Sequence, residues 1–187
     1  MIIAITGNIG SGKSTAAILF KKAGFHIINA DNIGHELYKT DKIKDKVVGK
    51  FGKKILTKNE IDRKKLKNIV FKKKDELKKL NNLVHPEIVK VIKKESIKYA
   101  KVAIEAALMI EFGFKGYDKL ILITIDEKEQ MKRLLKKGKY KREEILNILE
   151  SQISQEEKLK FADYIIDNSD SVKEFERNIK KVIKKLK

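Results

Sequence analysis

The chain has 187 residues, 42% of them hydrophobic, which is typical of one compact domain with a core of its own. No apolar run reaches the roughly 20 residues that cross a bilayer, so neither a membrane segment nor a membrane partner is expected. The absence of cysteine excludes disulfides and thiolate metal sites, and it fits the reducing cytoplasm. The net charge of +18 leaves two classes open: proteins that bind nucleic acid and enzymes for anionic small molecules.

The positive charge is spread along nearly the whole sequence, which favours a lysine-rich surface over a single nucleic-acid-binding stripe. Because lysine is the usual cation of this chain, each arginine is a better candidate for a bidentate contact with an anion. The arginines are Arg63, Arg133, Arg142 and Arg177.

Five short segments rich in isoleucine and valine alternate with helical stretches, which predicts buried parallel strands. We therefore expect an α/β sandwich with a five-stranded parallel sheet flanked by helices, whose strands all end at one edge where catalytic groups collect. The predicted strands are residues 2–6, 26–29, 102–105, 119–125 and 164–168.

The first strand leads into "GNIGSGKST", which satisfies the phosphate-loop pattern GxxxxGK[ST] at residues 7–14. Such a loop and the helix after it bind nucleotide phosphates through backbone N–H groups, while Lys13 contacts the outer phosphates and Ser14 is a candidate magnesium ligand. The alternative is a glycine-rich turn without a ligand. The predicted nucleotide-binding residues are Asn8, Ile9, Gly10, Ser11, Gly12, Lys13, Ser14 and Thr15.

Two acidic residues follow predicted strands at the shared edge. Asp31 comes just after the second strand, where it could accept the proton of an acceptor hydroxyl, orient magnesium, or simply cap a helix that starts at Asn32. Glu105 ends the third strand, where it could organise magnesium or serve as a buried structural carboxylate. Glu111, six residues later, stays open between the same two roles.

Two inserts separate the strands. Residues 36–100 are helical and rich in lysine, and without an expected strand they are interpreted as a substrate-binding subdomain. Residues 129–149 are highly charged and are interpreted as a mobile lid, with an exposed helix pair as the alternative. On this lid Arg133, with Lys137 and Arg142, could close over the transferred phosphate.

The last segment has the pattern of a helix that packs on the sheet. Ser171 and Glu174 have capping-box spacing, and the apolar residues after Ser171 recur on one stripe. The predicted stripe consists of Val172, Phe175, Ile179, Val182 and Leu186.

Over nearly its whole length the sequence resembles the dephospho-coenzyme A kinases. The resemblance extends well beyond the phosphate loop, which many unrelated enzymes share. It rests on "ITGNIGSGKS", "INADNIGHELY", "IDRKKLKNIVF", "LNNLVHPEI", "IEAALMIE", "EQMKRLL", "SQ" at 151–152 and "ADYIIDN", in this order.

The resemblance implies a single P-loop kinase domain over residues 1–187 that uses ATP and Mg²⁺ to phosphorylate the ribose 3′-hydroxyl of dephospho-CoA. Asp31 is then the catalytic base, Lys13 and Arg133 act on the phosphates, and Asn168 lies near the adenine. Residues 36–100 form the CoA-binding subdomain, and a monomer or weak homo-oligomer without a specific nucleic-acid partner is expected. The implied substrate-binding residues are Asp31, His35, Arg63, His85 and Glu105.

Several positions depart from the pattern of this family. Asn29 and Glu105 stand where aspartate is common, which leaves Asp31 as the only acid of the first pair. Lys137 and Ile148 stand where the lid usually carries arginine, so position 137 keeps the positive charge without the guanidinium fork and position 148 has no charge. Ala107 replaces a frequent proline and Asn59 a common glycine, and asparagine tolerates a left-handed turn.

Two other functions remain open on sequence grounds. A kinase for a nucleoside or nucleotide would share the fold and differ in its acceptor. A P-loop protein that binds nucleic acid would bind it tightly and with a steep dependence on salt. The scattered lysines and the absence of an RNA-stacking aromatic motif argue against the second.

Overall fold

The computed structural model describes residues 1–70, 74–111 and 113–186, which form two compact units. The first unit comprises Met1–Asn29 with Glu95–Lys187, and the second is Ala30–Lys94. The second unit largely coincides with the predicted insert at 36–100. Within the described ranges, no helix combines the length and the apolar character that crossing a membrane requires.

The elements follow in chain order. They are β1 (Ile2–Thr6), α1 (Lys13–Lys22), β2 (His26–Asn29), α2 (Ala30–Leu37), α3 (Asp41–Phe51), a 3₁₀ turn (Lys53–Ile55), β3 (Leu56–Thr57), β4 (Glu60–Ile61), α4 (Arg63–Val70), α5 (Lys74–Ser96), β5 (Val102–Glu105), β6 (Lys119–Thr124), α6 (Glu127–Lys136), α7 (Arg142–Glu150), α8 (Gln155–Leu159), β7 (Tyr164–Asp167) and α9 (Val172–Lys185).

A five-stranded parallel sheet in the order β2-β5-β1-β6-β7 forms the centre of the first unit. All five predicted strands are confirmed, and the last two each end one residue earlier than expected. In the register of the sheet, Glu105 at the end of β5 pairs with Asn29 on one side and Ile5 on the other. The sheet therefore brings the ends of β2, β5 and β1 together, directly before the phosphate loop.

Helices α1 and α9 pack on the sheet through a shared apolar core. The predicted stripe of α9 is confirmed except at Val172, which is 64% exposed. Val172 is the first residue of the helix, and helical periodicity predicts which way a side chain points without fixing how far the packed surface extends. The core side chains of the stripe are Phe175, Ile179, Val182 and Leu186.

The second unit is mainly helical, as predicted, but it also contains a short antiparallel hairpin of β3 and β4. The expectation of no strand in this region was therefore wrong. Strands of two residues are too short to produce an alternating pattern, so no periodicity in the sequence marks them. The hairpin turns at Lys58 and Asn59, both with positive φ (49° and 63°), which agrees with the left-handed turn expected at Asn59.

The segment predicted to be a lid consists of α6 and α7, which pack against each other. The Asp126 carboxylate accepts hydrogen bonds from the N–H groups of Lys128 and Glu129 and so caps α6. Residues 129–149 therefore lie within a packed helix pair, and their role as a lid stays a prediction.

Candidate active site

The phosphate loop joins the end of β1 to the start of α1, and it passes very close to its neighbours. Gly7 has φ of +148°, and a Cβ there would lie 2.4 Å from the Ile123 carbonyl oxygen. Gly12 has φ of +105°, and a Cβ there would lie 2.3 Å from Asn168 Nδ2. The two fixed glycines of the motif are therefore required both by the backbone conformation and by the space available.

Lys13 begins α1 and lies folded over the loop. Its side chain is buried, and Nζ donates to the carbonyl oxygens of Gly7 at 2.8 Å and Asn8 at 3.1 Å. An ammonium group beside the amino end of a helix produces a positive potential at a point where backbone donors also converge. This arrangement is suited to a polyphosphate.

The loop also contains buried polar atoms that a phosphate could satisfy. In the part of the chain that the structure describes, Ser11 Oγ and Asn8 Oδ1 are buried without a hydrogen-bond partner. Buried polar groups without a partner are uncommon and costly in the absence of a ligand. Together with the first turn of α1, they fit the phosphates of the expected nucleotide.

Ser14, Glu105 and Asn29 form a hydrogen-bonded cluster at the ends of β5 and β2. The Ser14 hydroxyl donates to Glu105 Oε1 at 2.6 Å, and Asn29 Nδ2 donates to Glu105 Oε2 at 2.9 Å. Glu105 is only 5% exposed, so both of its oxygens have partners in a largely buried setting. Glutamate here reaches Ser14 directly, which explains how the chain tolerates this departure from the common aspartate.

The Ser14–Glu105 pair offers hard oxygen donors, which suit Mg²⁺. Across the described ranges, no group of three or more His, Cys, Asp or Glu side chains is placed to hold a metal ion. A cation at Ser14 would therefore need phosphate oxygens and water to complete its coordination. Such partial coordination by protein is usual for Mg²⁺ in nucleotide sites.

Two glutamines that the sequence analysis did not single out contact the peptide group of Ile9. Gln152 Oε1 accepts from the Ile9 N–H at 3.1 Å, and Gln130 Nε2 donates to the Ile9 carbonyl oxygen. Both residues lie in quoted motifs, "EQMKRLL" and "SQ", so the sequence marked their segments but not their role. A Cβ on Gly10 would lie 3.0 Å from Leu134, which shows that α6 lies directly against the loop.

Arg133 lies on α6 between Gln130 and Leu134, the two residues of this helix that lie against the phosphate loop. Its Nε donates to Glu129 Oε1 at 2.9 Å, and a terminal nitrogen donates to the Asp170 carbonyl oxygen at 3.4 Å. The hydrogen bond from Arg133 is the largest cause of the lowered pKa of the half-buried Glu129 carboxyl. The guanidinium is thus held at the loop-facing helix, while its contact with phosphate stays a prediction.

Asn168 is buried beside the phosphate loop. Its Nδ2 donates to the Ser11 carbonyl oxygen at 2.7 Å, and its backbone N–H donates to the Thr124 carbonyl oxygen at 2.9 Å. The side chain therefore supports the loop from the end of β7. The adenine contact implied by the resemblance stays a prediction.

Asp31 and His35 lie one turn apart on α2, in the second unit, and therefore share a face of that helix. The helix begins at Ala30, so Asp31 lies in its first turn and does not cap a helix starting at Asn32. Because the last residue of β2 is Asn29, Asp31 lies two residues beyond the end of that strand in the chain. This local placement suits either a reactive or a structural carboxylate.

Arg63 and His85 also belong to the second unit. Arg63 starts α4 and acts electrostatically on Tyr38, whose pKa is raised mainly by burial and lowered in part by the guanidinium. His85 lies within α5, where burial lowers its pKa to about 4, so the imidazole is neutral at physiological pH. Tyr38 was missed in the sequence analysis, because a single tyrosine carries no spacing signal.

Comparison with known families gives a match over most of the chain. The CoaE dephospho-CoA kinase family matches residues 1–174. A dephospho-CoA kinase of Aquifex aeolicus is 40% identical over 190 residues, covering 98% of this chain and 96% of the relative. One from Fusobacterium nucleatum is 35% identical over 185 residues, covering 97% and 96%.

Solved structures agree with the sequence matches. A dephospho-CoA kinase from Campylobacter jejuni is 34% identical with a TM-score of 0.70, covering 99% of this chain and 96% of that one. A shikimate kinase from Acinetobacter baumannii, at 14% identity and a TM-score of 0.57, covers 99% and 92% and shows the shared kinase fold alone. The predicted fold class, the ATP-dependent kinase class and the dephospho-CoA kinase activity are thereby confirmed. The chain belongs to the dephospho-CoA kinase family.

Proposed function

We propose that the chain transfers the γ-phosphate of ATP to the ribose 3′-hydroxyl of dephospho-CoA, giving coenzyme A and ADP, with the residue roles below. The observation that carries the proposal is a complete phosphate loop with its lysine buried over it, in a chain that matches the family over residues 1–174. In this mechanism the first turn of α1 and Lys13 bind the β- and γ-phosphates. Asn168 holds the loop and lies near the adenine.

Magnesium belongs to the proposal as the ion that offsets the charge of the phosphates. Ser14 would be its protein ligand, and Glu105 would orient the Ser14 hydroxyl and accept hydrogen bonds from water on the ion. The direct Ser14–Glu105 hydrogen bond of 2.6 Å supports this assignment.

The magnesium assignment is tested with Glu105→Gln, which keeps the size of the side chain and removes its charge. We expect the Mg²⁺ concentration needed for half-maximal binding of a fluorescent ADP analogue to rise about tenfold. Glu156→Gln, at an exposed position on α8, serves as the control and should change nothing. If the parent, Glu105→Gln and Glu156→Gln all need the same Mg²⁺ concentration, Glu105 has no role in binding magnesium.

Asp31 is proposed as the general base that accepts the proton of the 3′-hydroxyl, with His35 one turn away on the same face of α2. Arg63 and His85 are proposed to bind the acceptor, Arg63 through the charge of its phosphates and His85 as a neutral imidazole. The neutral state follows from the lowered pKa of His85. These roles fit the second unit as the CoA-binding part of the chain.

The role of Asp31 is tested with Asp31→Asn, which preserves shape and removes the base. We expect turnover to fall by about 10² to 10⁴ while the affinity for ATP stays within twofold. Asp41→Asn is a matched control, since Asp41 also lies in the first turn of a helix and its side chain is 89% exposed. Parental turnover in Asp31→Asn would rule out this base.

The acceptor itself is tested by incubation with Mg-ATP and a panel of dephospho-CoA, nucleosides, nucleoside monophosphates and shikimate. Only dephospho-CoA should yield ADP in stoichiometric amount, and phosphate should appear at the 3′ position of the product. Stoichiometric ADP from a nucleoside or nucleotide would instead favour the alternative kinase.

The proposal also includes a mobile element, a location and an oligomeric state. We propose that residues 129–149 form the mobile lid and that movement within it is largest after α6, because α6 contacts the phosphate loop. A cytoplasmic location is supported by the absence of cysteine and by the demand for ATP.

A monomer or weak homo-oligomer is expected, and sedimentation velocity would measure which of these the protein forms.

A further inference from the structure

Lys158 is a lysine whose side chain is completely buried, which is rare unless the ammonium group has close partners. It lies on α8, and its Nζ donates to the Ala107 carbonyl oxygen at 3.0 Å and forms an ion pair with Glu111 Oε1 at 3.1 Å. Burial lowers the pKa of Lys158, and the Glu111 carboxylate opposes that shift. The Lys158–Glu111 ion pair therefore keeps charged groups inside the protein, although their removal from water costs free energy.

The partners of this ion pair connect three segments of the first unit. Glu111 Oε1 also accepts from the Ile153 N–H at 3.0 Å, which ties the 151–154 turn to the segment that follows β5. The Ala107 carbonyl oxygen also accepts from Thr6 Oγ1 at 3.3 Å, at the residue just before the phosphate loop. The ion pair thus lies between the end of β1, the segment after β5 and the 151–154 turn.

The 151–154 turn carries Gln152, whose Oε1 accepts the Ile9 N–H in the phosphate loop. A short series of contacts therefore runs from Lys158 through Glu111 and the turn to the loop. Stability alone is a poor reason for such a pair, because an apolar pair of similar size is often at least as stable. Moreover, Glu111 Oε2 is buried without a hydrogen-bond partner among the described residues, which adds to the cost of keeping this ion pair inside the protein.

We propose that Glu111 and Lys158 are positioning residues that fix the 151–154 turn, so that Gln152 holds the Ile9 peptide of the phosphate loop ready for ATP. They act through Gln152 and do not contact the nucleotide. Preorganised backbone donors bind phosphates without first losing conformational entropy, so release of the turn weakens nucleotide binding. The inference rests on the proposed function only for the identity of the nucleotide.

The test uses the double variant Glu111→Leu with Lys158→Met, which replaces the ion pair with an apolar pair, and the single variant Gln152→Met. Both should fold, keep the parental urea midpoint within a small margin, and bind ADP about five- to tenfold more weakly, because the loop must then be ordered when the nucleotide binds. Exchange of the Ile9 amide, followed by NMR, should accelerate in both. Adding Gln152→Met to the double variant should cost nothing further, because the same contact has already been lost.

A matched control is Glu156→Leu with Lys160→Met, two exposed positions in the same region, for which ADP affinity and Ile9 exchange should stay parental. Gln152→Glu, which keeps the acceptor oxygen, should rescue Ile9 protection. Parental ADP affinity and Ile9 exchange in Gln152→Met would overturn the proposal even if the double variant failed to fold. Additive losses in the triple variant would overturn it as well. ADP binding and exchange do not involve the acceptor, so failure of the dephospho-CoA assignment would be seen separately.

Discussion

Gly12 joins two constraints in one residue: a positive φ and a neighbour that leaves no room for a side chain. We expect Gly12→Ala to lower the free energy of unfolding by about 1 to 3 kcal/mol and to abolish measurable ATP binding, since the new Cβ would displace Asn168 or the loop. The measurements are urea unfolding and calorimetric titration with ATP. Parental ATP affinity in this variant would contradict the expectation.

Gly24 provides the control for Gly12. Its φ of +90° is similarly unfavourable for alanine, yet nothing lies within 4 Å of a Cβ placed there. Gly24→Ala should therefore show only the backbone strain, about 1 kcal/mol, and bind ATP normally. The difference between the two variants isolates the contact between Gly12 and Asn168.

His85 should make the stability of the protein depend on pH. Its pKa is lowered by burial from 6.5 to about 4, so between these values the unfolded chain takes up a proton that the folded chain does not. The folded state is therefore fully favoured above about pH 6.5 and loses stability as the pH falls towards 4. Because the ring is only half-buried, we expect about 1 to 2 kcal/mol.

The pH effect is measured by comparing the parent with His85→Gln in urea unfolding at pH 7 and pH 4.5. Between pH 7 and pH 4.5, the free energy of unfolding should fall by about 1 to 2 kcal/mol less in the variant than in the parent. In the parent, the NMR signal of the His85 ring should remain in its neutral position at pH 5.5. Titration of that ring with a midpoint near 6.5 would refute the assigned pKa.

At the scale of elements, helix α9 packs on the sheet through a single stripe of apolar side chains. Ile179 is fully buried in the core shared with the sheet, and Val172 on the same helix is 64% exposed. Ile179→Ala should lower the free energy of unfolding by about 3 kcal/mol through lost burial and a residual cavity. Val172→Ala should change it by less than about 0.5 kcal/mol. Similar losses in both variants, measured by urea unfolding, would contradict the packing of α9.

Elements with strong periodicity were predictable, and short or context-dependent ones were not. The five sheet strands follow from buried runs of isoleucine and valine, and their order in the chain with helices between them requires a parallel sheet. The two-residue strands β3 and β4 leave no such trace. The contact of α6 with the phosphate loop could not be predicted from the sequence either. A charged helical pattern is the same whether the helix packs against a loop or faces only solvent.

At the scale of the whole molecule, the net charge of +18 comes from an excess of lysines spread along the chain, some of which pair with nearby carboxylates. One basic surface is a groove of about 540 Å³ along α9, lined by Lys173, Glu176, Arg177, Lys180, Lys181 and Lys184. Such surfaces bind polyanions only while salt is low. The charge is therefore compatible with a small-molecule kinase.

We expect weak binding to duplex DNA at about 20 mM salt that disappears near 150 mM, measured by fluorescence anisotropy. Replacing Lys180, Lys181 and Lys184 with glutamate should reduce the low-salt binding, while kinase activity stays parental. Tight binding that persists at 150 mM salt would restore a nucleic-acid function.

The sequence by itself determined the sheet strands, the phosphate loop, the family and most candidate site residues, because these depend on local periodicity and on motifs whose spacing is fixed along the chain. The tertiary structure alone decided that Glu105 joins Ser14 to Asn29, that two glutamines hold the Ile9 peptide, and that Lys158 is buried beside Glu111. Each of these contacts joins residues distant in sequence. Only packing brings such residues together, and no local pattern encodes a distance between them.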